Sequence, residues 1–175
     1  MNNETLQLWT DSFLQCLAGL PLTLGLTFVS LLIGGLMALP LSVIHSRKTT
    51  VPAKWVRMFT FFFTGTPLLV QLYIFYDGVG SMDWVQNLME VPGFNFLREG
   101  YFWVLLGLIF NTAAYTTIIL SGAIRNTENG EVEAGRAYGM NPSQVMRHII
   151  LPSSLRRALP AYSNEVVLML HSTSL

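Results

Sequence analysis

The stretch "LAGLPLTLGLTFVSLLIGGLMALPLSVI", residues 17–44, holds no charged side chain, and none occurs between Asp11 and Arg47. A bilayer core about 30 Å thick needs about 20 apolar residues to cross it as a helix. The stretch is therefore read as a membrane span. Pro21 and Pro40 lie near its ends, where a helix break is expected to cost least. Gly34-Gly35 implies either close approach of a second helix or a local kink. The composition points the same way. Only 11% of the 175 residues are charged, against about 25% in soluble domains.

Outward from that span, two more uncharged runs appear at residues 58–76 ("MFTFFFTGTPLLVQLYIFY") and 101–124 ("YFWVLLGLIFNTAAYTTIILSGAI"). A fourth is expected over residues 158–175. Tyr73, Phe75 and Tyr76, and Tyr101, Phe102 and Trp103, stand where interfacial aromatic belts form. The expected fold is all-α, a polytopic membrane helical bundle. Ten basic and ten acidic residues cancel, so net charge indicates no nucleic-acid partner. Their distribution sets the orientation instead. Arg47, Lys48, Lys54 and Arg57 fill the loop 45–57, and Arg125, Arg136, Arg147, Arg156 and Arg157 lie in 125–157. Loop 77–100 carries Arg98 against Asp77, Asp83, Glu90 and Glu99. The positive-inside rule puts the first two segments in the cytoplasm, and the N-terminus and loop 77–100 outside. Residues 1–16 form an external segment with Glu4 and Asp11 and no Lys or Arg, so no cleavable signal peptide is expected. The lone Cys16 excludes an intrachain disulfide and is expected to pack as a small apolar residue.

The segment 125–157 interrupts this apolar chain with "EVEAGRAYGMNPSQVMRHIILP", Glu131–Pro152. Glu131–Tyr138 has helix-forming composition, and Gly139 suits a C-terminal stop. Asn141 is an N-cap candidate, with Pro142 at the first helical position and Gln144 completing a capping box. The second helix is expected to end at Pro152. Ile149, Ile150 and Leu151 give it an apolar end that can pack on the bundle.

Glu133-Ala134-Gly135, Gly139, Ile149, Leu151 and Pro152 match E-A-A-x3-G-x9-I-x-L-P, with Gly135 replacing the second alanine. This resembles the coupling motif of membrane subunits in ATP-binding-cassette importers. "FTGTPLLVQLYIFY", "NTAAYTTIILSGAIRN", "ALPAYSNEVVLMLHSTSL" and "GLPLTLGLT" resemble further blocks of permeases for polar amino acids. The likeness runs over roughly residues 18–175 and is nearest to M-type subunits of importers for arginine, or for histidine, lysine, arginine and ornithine. The resemblance implies a type I importer transmembrane domain at 17–175, whose Glu131–Pro152 segment docks on a separate ATPase. It implies a second permease subunit (homologous or identical), two ATPase copies and a periplasmic or extracellular amino-acid-binding protein, in the bacterial inner membrane. ATP and Mg would sit on the ATPase. Lys48 and Lys54 follow no glycine, so no P-loop is present and no cofactor is expected on this chain. Such permeases run on for about one more span, so the chain is expected to be truncated in or just after its fourth.

Polar groups inside spans are costly and mark function by default. The candidate path residues are Thr64, Gly65, Thr66, Pro67, Gln71, Asn111, Tyr115, Asn164 and Glu165. Pro67 removes a backbone bond midway along the second span and frees carbonyls to line a cavity. Thr112, Thr116 and Thr117 are expected to bond their own helix. Glu165 faces either a cationic substrate group or a structural partner such as Arg156 or Arg157. His171 is read as a packing histidine rather than a proton relay. Many members of the resembled family carry arginine at Thr64 and glutamate at Ile118. Absence of both implies that an ion pair between facing positions has been removed. Two other functions compete with the importer subunit. An ion-coupled amino-acid carrier would use Glu165 and His171 and needs no ATPase dock. A membrane enzyme has only His45, His148 and His171 to draw on and lacks a hydrolase or metalloprotease motif. The expected role is therefore non-catalytic.

Overall fold

The computed structural model describes residues 3–47 and 50–173, and for residues 3–8, 10 and 11 the backbone only. Lys48 of the basic loop, the side chains of Glu4 and Asp11, and residues 174–175 at the end of the expected fourth span lie outside the described residues. Among the described residues eight α-helices follow in order: α1 (Asn3–Ser46), α2 (Val51–Gly65), α3 (Leu68–Tyr73), α4 (Asp83–Met89), α5 (Gly100–Arg125), α6 (Asn129–Ala137), α7 (Pro142–Val145) and α8 (Leu151–Thr173). Wider π-helical turns follow α3 at Ile74–Val79 and α7 at Met146–Ile150, and a 3-10 turn spans Asn95–Arg98. No strand occurs among the described residues.

The first span differs from its expected bounds. α1 runs for 44 residues straight through Pro21 and Pro40, about 66 Å at 1.5 Å per residue. Ending a helix in an apolar medium strands four carbonyls, whereas an interior proline gives up one bond. Continuation therefore costs less than the breaks the prolines implied. Its N-terminal half, from Phe13 to Leu24, presents exposed leucines. Cys16 is exposed there as well, which overturns its expected packing role.

α5 is the central helix and touches α1, α2, α3 and α8. Its closest neighbour is α1, through buried small residues spaced three or four apart: Thr27, Ser30, Gly34, Ala38 and Ser42. The three hydroxyls turn back onto their own helix at 2.8–2.9 Å, so these three need no partner from α5. A Cβ added at Gly34 would lie 2.8 Å from Thr112 Cβ and 2.9 Å from the Ile109 carbonyl oxygen. Close approach is thus what Gly34 provides.

The second span is not one straight helix. α2 and the α3 segment meet at Thr66-Pro67 with a bend of 109°, so residues 58–76 fold as a broken span or a re-entrant hairpin. Beyond it, Val85, Leu97 and Trp103 form a small core with Phe75 and Val79. Trp103 is buried and donates through Nε1 to the Leu97 carbonyl at 2.9 Å. Phe75 packs on Phe63 and Phe110. These two aromatics serve the interior rather than a belt, while Tyr73, Tyr76 and Tyr101 are exposed.

Pro152 does not end a helix. The path is helical from Pro142 to Thr173. A proline in an α-helix clashes with the carbonyl four residues back. Here the π turn widens the coil just before it, with the Leu151 amide bonding Met146 instead, and Pro152 fits. Two helices are long and apolar enough to cross a membrane, Ser12–Ser46 and Gly100–Arg125, or three if the bent pair is one span. The expected fourth span at 158–175 is not among them. Its described residues, 158–173, are the C-terminal part of α8, a helix that carries Arg156, Arg157, Glu165 and several serines.

Candidate functional site

The break in the second span builds the first half of the site. Pro67 has no N–H, so the Phe63 carbonyl four residues earlier loses its helical donor. Gln71 replaces it. Its Nε2 lies 2.7 Å from Phe63 O, 2.9 Å from Thr66 O and 2.8 Å from Thr66 Oγ1. Its Oε1 accepts from Asn111 Nδ2 at 3.1 Å. Asn111 also reaches Phe63 O at 3.4 Å. The amide orientation follows from its partners, since three oxygens crowd one end. Gln71 is 1% exposed. It ties the broken helix to α5 and is not among the residues that line the cavity beside Glu165. Gln71→Leu, of similar bulk, leaves the Phe63 carbonyl with only the long Asn111 contact. The variant is expected to lose about 1–3 kcal/mol, read as a lower melting temperature in detergent. Unchanged stability would show that the break is held by other contacts.

Thr66, Pro67, Asn111 and Tyr115 then face Glu165 and Met169 of α8 across a cavity of about 270 Å³. Candidates from three separate stretches of the chain, Thr66-Pro67, Asn111 with Tyr115, and Glu165, are thus brought together. Thr64 and Gly65 sit just outside it. Thr64 bonds its own helix at 2.7 Å, and its carbonyl accepts from Tyr115 Oη at 3.3 Å. Asn164 is exposed and His171 is exposed, and neither lines the cavity. Glu165 is 7% exposed. Neither Arg156 nor Arg157 pairs with it: both lie about two turns away on the same helix, and Arg157 stands 3.6 Å from Glu131 instead. No other ion pair occurs among the described residues. Thr112, Thr116 and Thr117 depart from expectation: their hydroxyls are buried without a partner among the described residues. At Thr112 the tight seam turns the Cβ and methyl toward Gly34. Ile118 is exposed and lines a recess with Ala158 and Ala161 of α8.

The segment after α5 forms the second half. Gly139 closes α6 with φ +76°, a left-handed conformation that glycine adopts freely. Asn141 and Gln144 make the reciprocal capping box, both bonds at 2.9 Å. The motif residues divide by facing. Gly135 is buried, and a side chain there would strike Ile149 Cδ1 and crowd Val145 Cγ2 at 3.3 Å. Ile149 and Leu151 are half-buried. Glu133, Ala134 and Tyr138 are exposed, Tyr138 to 87%, while Pro152 is exposed on the continuing helix. A motif string cannot show this division, since it carries no facing. Sequence reading also missed Glu131, whose Oε1 accepts from Ser153 at 3.3 Å. A carboxylate 26 residues before an arginine carries no local signal of that pairing.

The family described as "Binding-protein-dependent transport system inner membrane component" matches residues 30–175. The chain belongs to this family. HisM, the histidine/lysine/arginine/ornithine transport system permease protein of Escherichia coli (strain K12), is 47% identical over 96% of this chain and 69% of its own length. NocM, the nopaline transport system permease protein of Agrobacterium fabrum (strain C58 / ATCC 33970), is 40% identical over 97% of this chain and 70% of its own. A solved structure described as "Crystal structure of an amino acid ABC transporter with histidines" superposes with a TM-score of 0.77 at 29% identity. The match covers 99% of this chain and 75% of that one. The fold is therefore that of a type I importer permease. Members are multi-pass inner-membrane components that work with an ATPase and a binding protein. Family membership supports the importer subunit and not the ion-coupled carrier.

Proposed function

We propose that this chain is a non-catalytic permease subunit of an ATP-driven importer for basic amino acids and forms half of its translocation path. The observation that carries the substrate class is Glu165: a carboxylate walled into a cavity by Thr66, Asn111 and Tyr115, with no basic partner among the described residues. A buried anion without a counter-ion is costly. A guanidinium or ammonium group passing through the cavity is the partner that relieves it. The hydroxyl and amide neighbours would orient such a group. The similarity to permeases named for histidine, lysine, arginine and ornithine supports the same class.

In this reading a second permease subunit, homologous or identical, completes the path. Two ATPase copies hold ATP and Mg, and a binding protein delivers substrate to loop 77–100. The N-terminus and that loop lie outside; 45–57 and 125–157 lie in the cytoplasm. The exposed face of α6, with Glu133, Ala134 and Tyr138, meets the ATPase, while Gly135 and Ile149 brace α6 from behind. Co-purification with an ATPase, followed by binding-protein-dependent uptake of labelled arginine and histidine, tests the assignment. Glu133→Lys reverses a charge on the docking face. Gly139→Pro demands φ near −65° where +76° is needed and removes the bond from its amide to Arg136 O at 2.9 Å. Both variants are expected to insert in the membrane yet lose substrate-stimulated ATP hydrolysis. Normal uptake by either overturns the docking role.

A further inference from the structure

The tie between α6 and α8 is drawn but not closed. Arg157 Nη1 stands 3.6 Å from Glu131 Oε1, longer than the 2.7–2.9 Å or so of a charge-assisted hydrogen bond. Its Nη2 is spent on Thr127 Oγ1 at 2.9 Å. Thr127 in turn approaches Ser154 at 3.4 Å. Glu131 Oε1 accepts from Ser153 at 3.3 Å, while Glu131 Oε2 is buried with no partner among the described residues. A carboxylate oxygen out of water and unbonded favours any movement that supplies it a donor. Less than an ångström of approach between α6 and α8 would bring Nη1 to hydrogen-bonding distance of Oε1, and release of Nη2 from Thr127 would free it to turn to Oε2.

We propose that Glu131 and Arg157 are positioning residues for coupling: a half-open latch that closes when the docking partner presses α6 toward α8. This rests on the importer reading above. α6 is short and is otherwise braced through Gly135 on Val145 and Ile149, residues that lie before α8 begins. The latch grips α8 itself. Arg157 lies eight residues before Glu165 on one unbroken helix. Motion received by α6 is thereby delivered to the helix that carries the acid of the cavity. Closure satisfies Oε2 and converts a one-point contact into the two-point Arg–carboxylate geometry, which resists shear as well as separation.

The test uses the complete assembly in proteoliposomes, with transport and ATP hydrolysis measured together. Glu131→Gln keeps the shape and removes the charge; Arg157→Gln removes the charge and shortens the side chain. Each is expected to leave association with the ATPase intact while substrate moved per ATP falls by about fivefold or more. The exchanged pair, Glu131→Arg with Arg157→Glu, is expected to recover most of that ratio. Arg157→Lys, which keeps the charge without the fork, falls between. A merely structural role would lower assembly or melting temperature and leave the ratio unchanged. Full coupling in both single variants overturns the latch. Failure of the wild-type chain to associate with any ATPase overturns the importer reading itself.

Discussion

Glu165→Gln is expected to lower arginine uptake by about 10- to 100-fold, with assembly and membrane insertion unchanged. The magnitude follows from the interaction removed. A hydrogen bond to a charged group contributes about 1.5–3 kcal/mol, and each 1.4 kcal/mol or so is a factor of ten. Glutamine keeps the volume and the polarity, so the cavity bounded by Thr66, Asn111 and Tyr115 retains its shape. Uptake of a substrate with a neutral side chain should fall less than uptake of arginine, because the side-chain cation is the group that lost its partner. The comparison is made with both labels in one set of membranes. Equal uptake of arginine by Glu165→Gln and the wild type would remove Glu165 from the path.

Gly34→Leu is expected to cause the largest loss of structure. The Cβ alone would stand 2.8 Å from Thr112 Cβ and 2.9 Å from a backbone oxygen at Ile109. A threonine Cβ and a carbonyl cannot rotate away as a side-chain tip can, so α1 and α5 must separate. Overpacking usually costs about 1–3 kcal/mol, and a backbone clash lies at or above that limit. For a chain of this size the melting temperature should fall by about 6–12 °C. The neighbouring Gly35 is the control. A Cβ there would lie 3.5 Å from Tyr162 Oη, an ordinary contact, and Gly35→Ala should be tolerated. Equal effects of Gly34→Leu and Gly35→Ala would show that α1 and α5 are not in contact at Gly34.

The two halves of the site differ in how much of them is written locally. The turn at Gly139 and the capping box of Asn141 and Gln144 are visible in the sequence because each depends on residues a few positions apart. Pro67 marks a break for the same reason. What Pro67 does to its surroundings is not local. The freed Phe63 carbonyl is answered by Gln71 eight residues on and by Asn111 from another helix. Gln71 therefore reads as a path residue in the string and is a clamp in space. Pro152 misleads in the opposite sense: it is a helix stop by local rule, but a π turn absorbs it.

By itself, the sequence determined that this is an all-α membrane chain interrupted by a polar helical segment with a glycine stop and a capping box, because long uncharged runs and short-range caps depend on neighbours along the chain. It also carried the family. Only the tertiary structure decided that α1 is one helix through two prolines, that Gly34 is a contact point, and that Gly135 faces inward while Glu133 faces out. It alone showed Glu165 paired with neither Arg156 nor Arg157, and Arg157 beside Glu131 instead. Those outcomes depend on which helices approach one another and how closely. Partners tens of residues apart compete for the same groups, and that competition leaves no trace in local spacing.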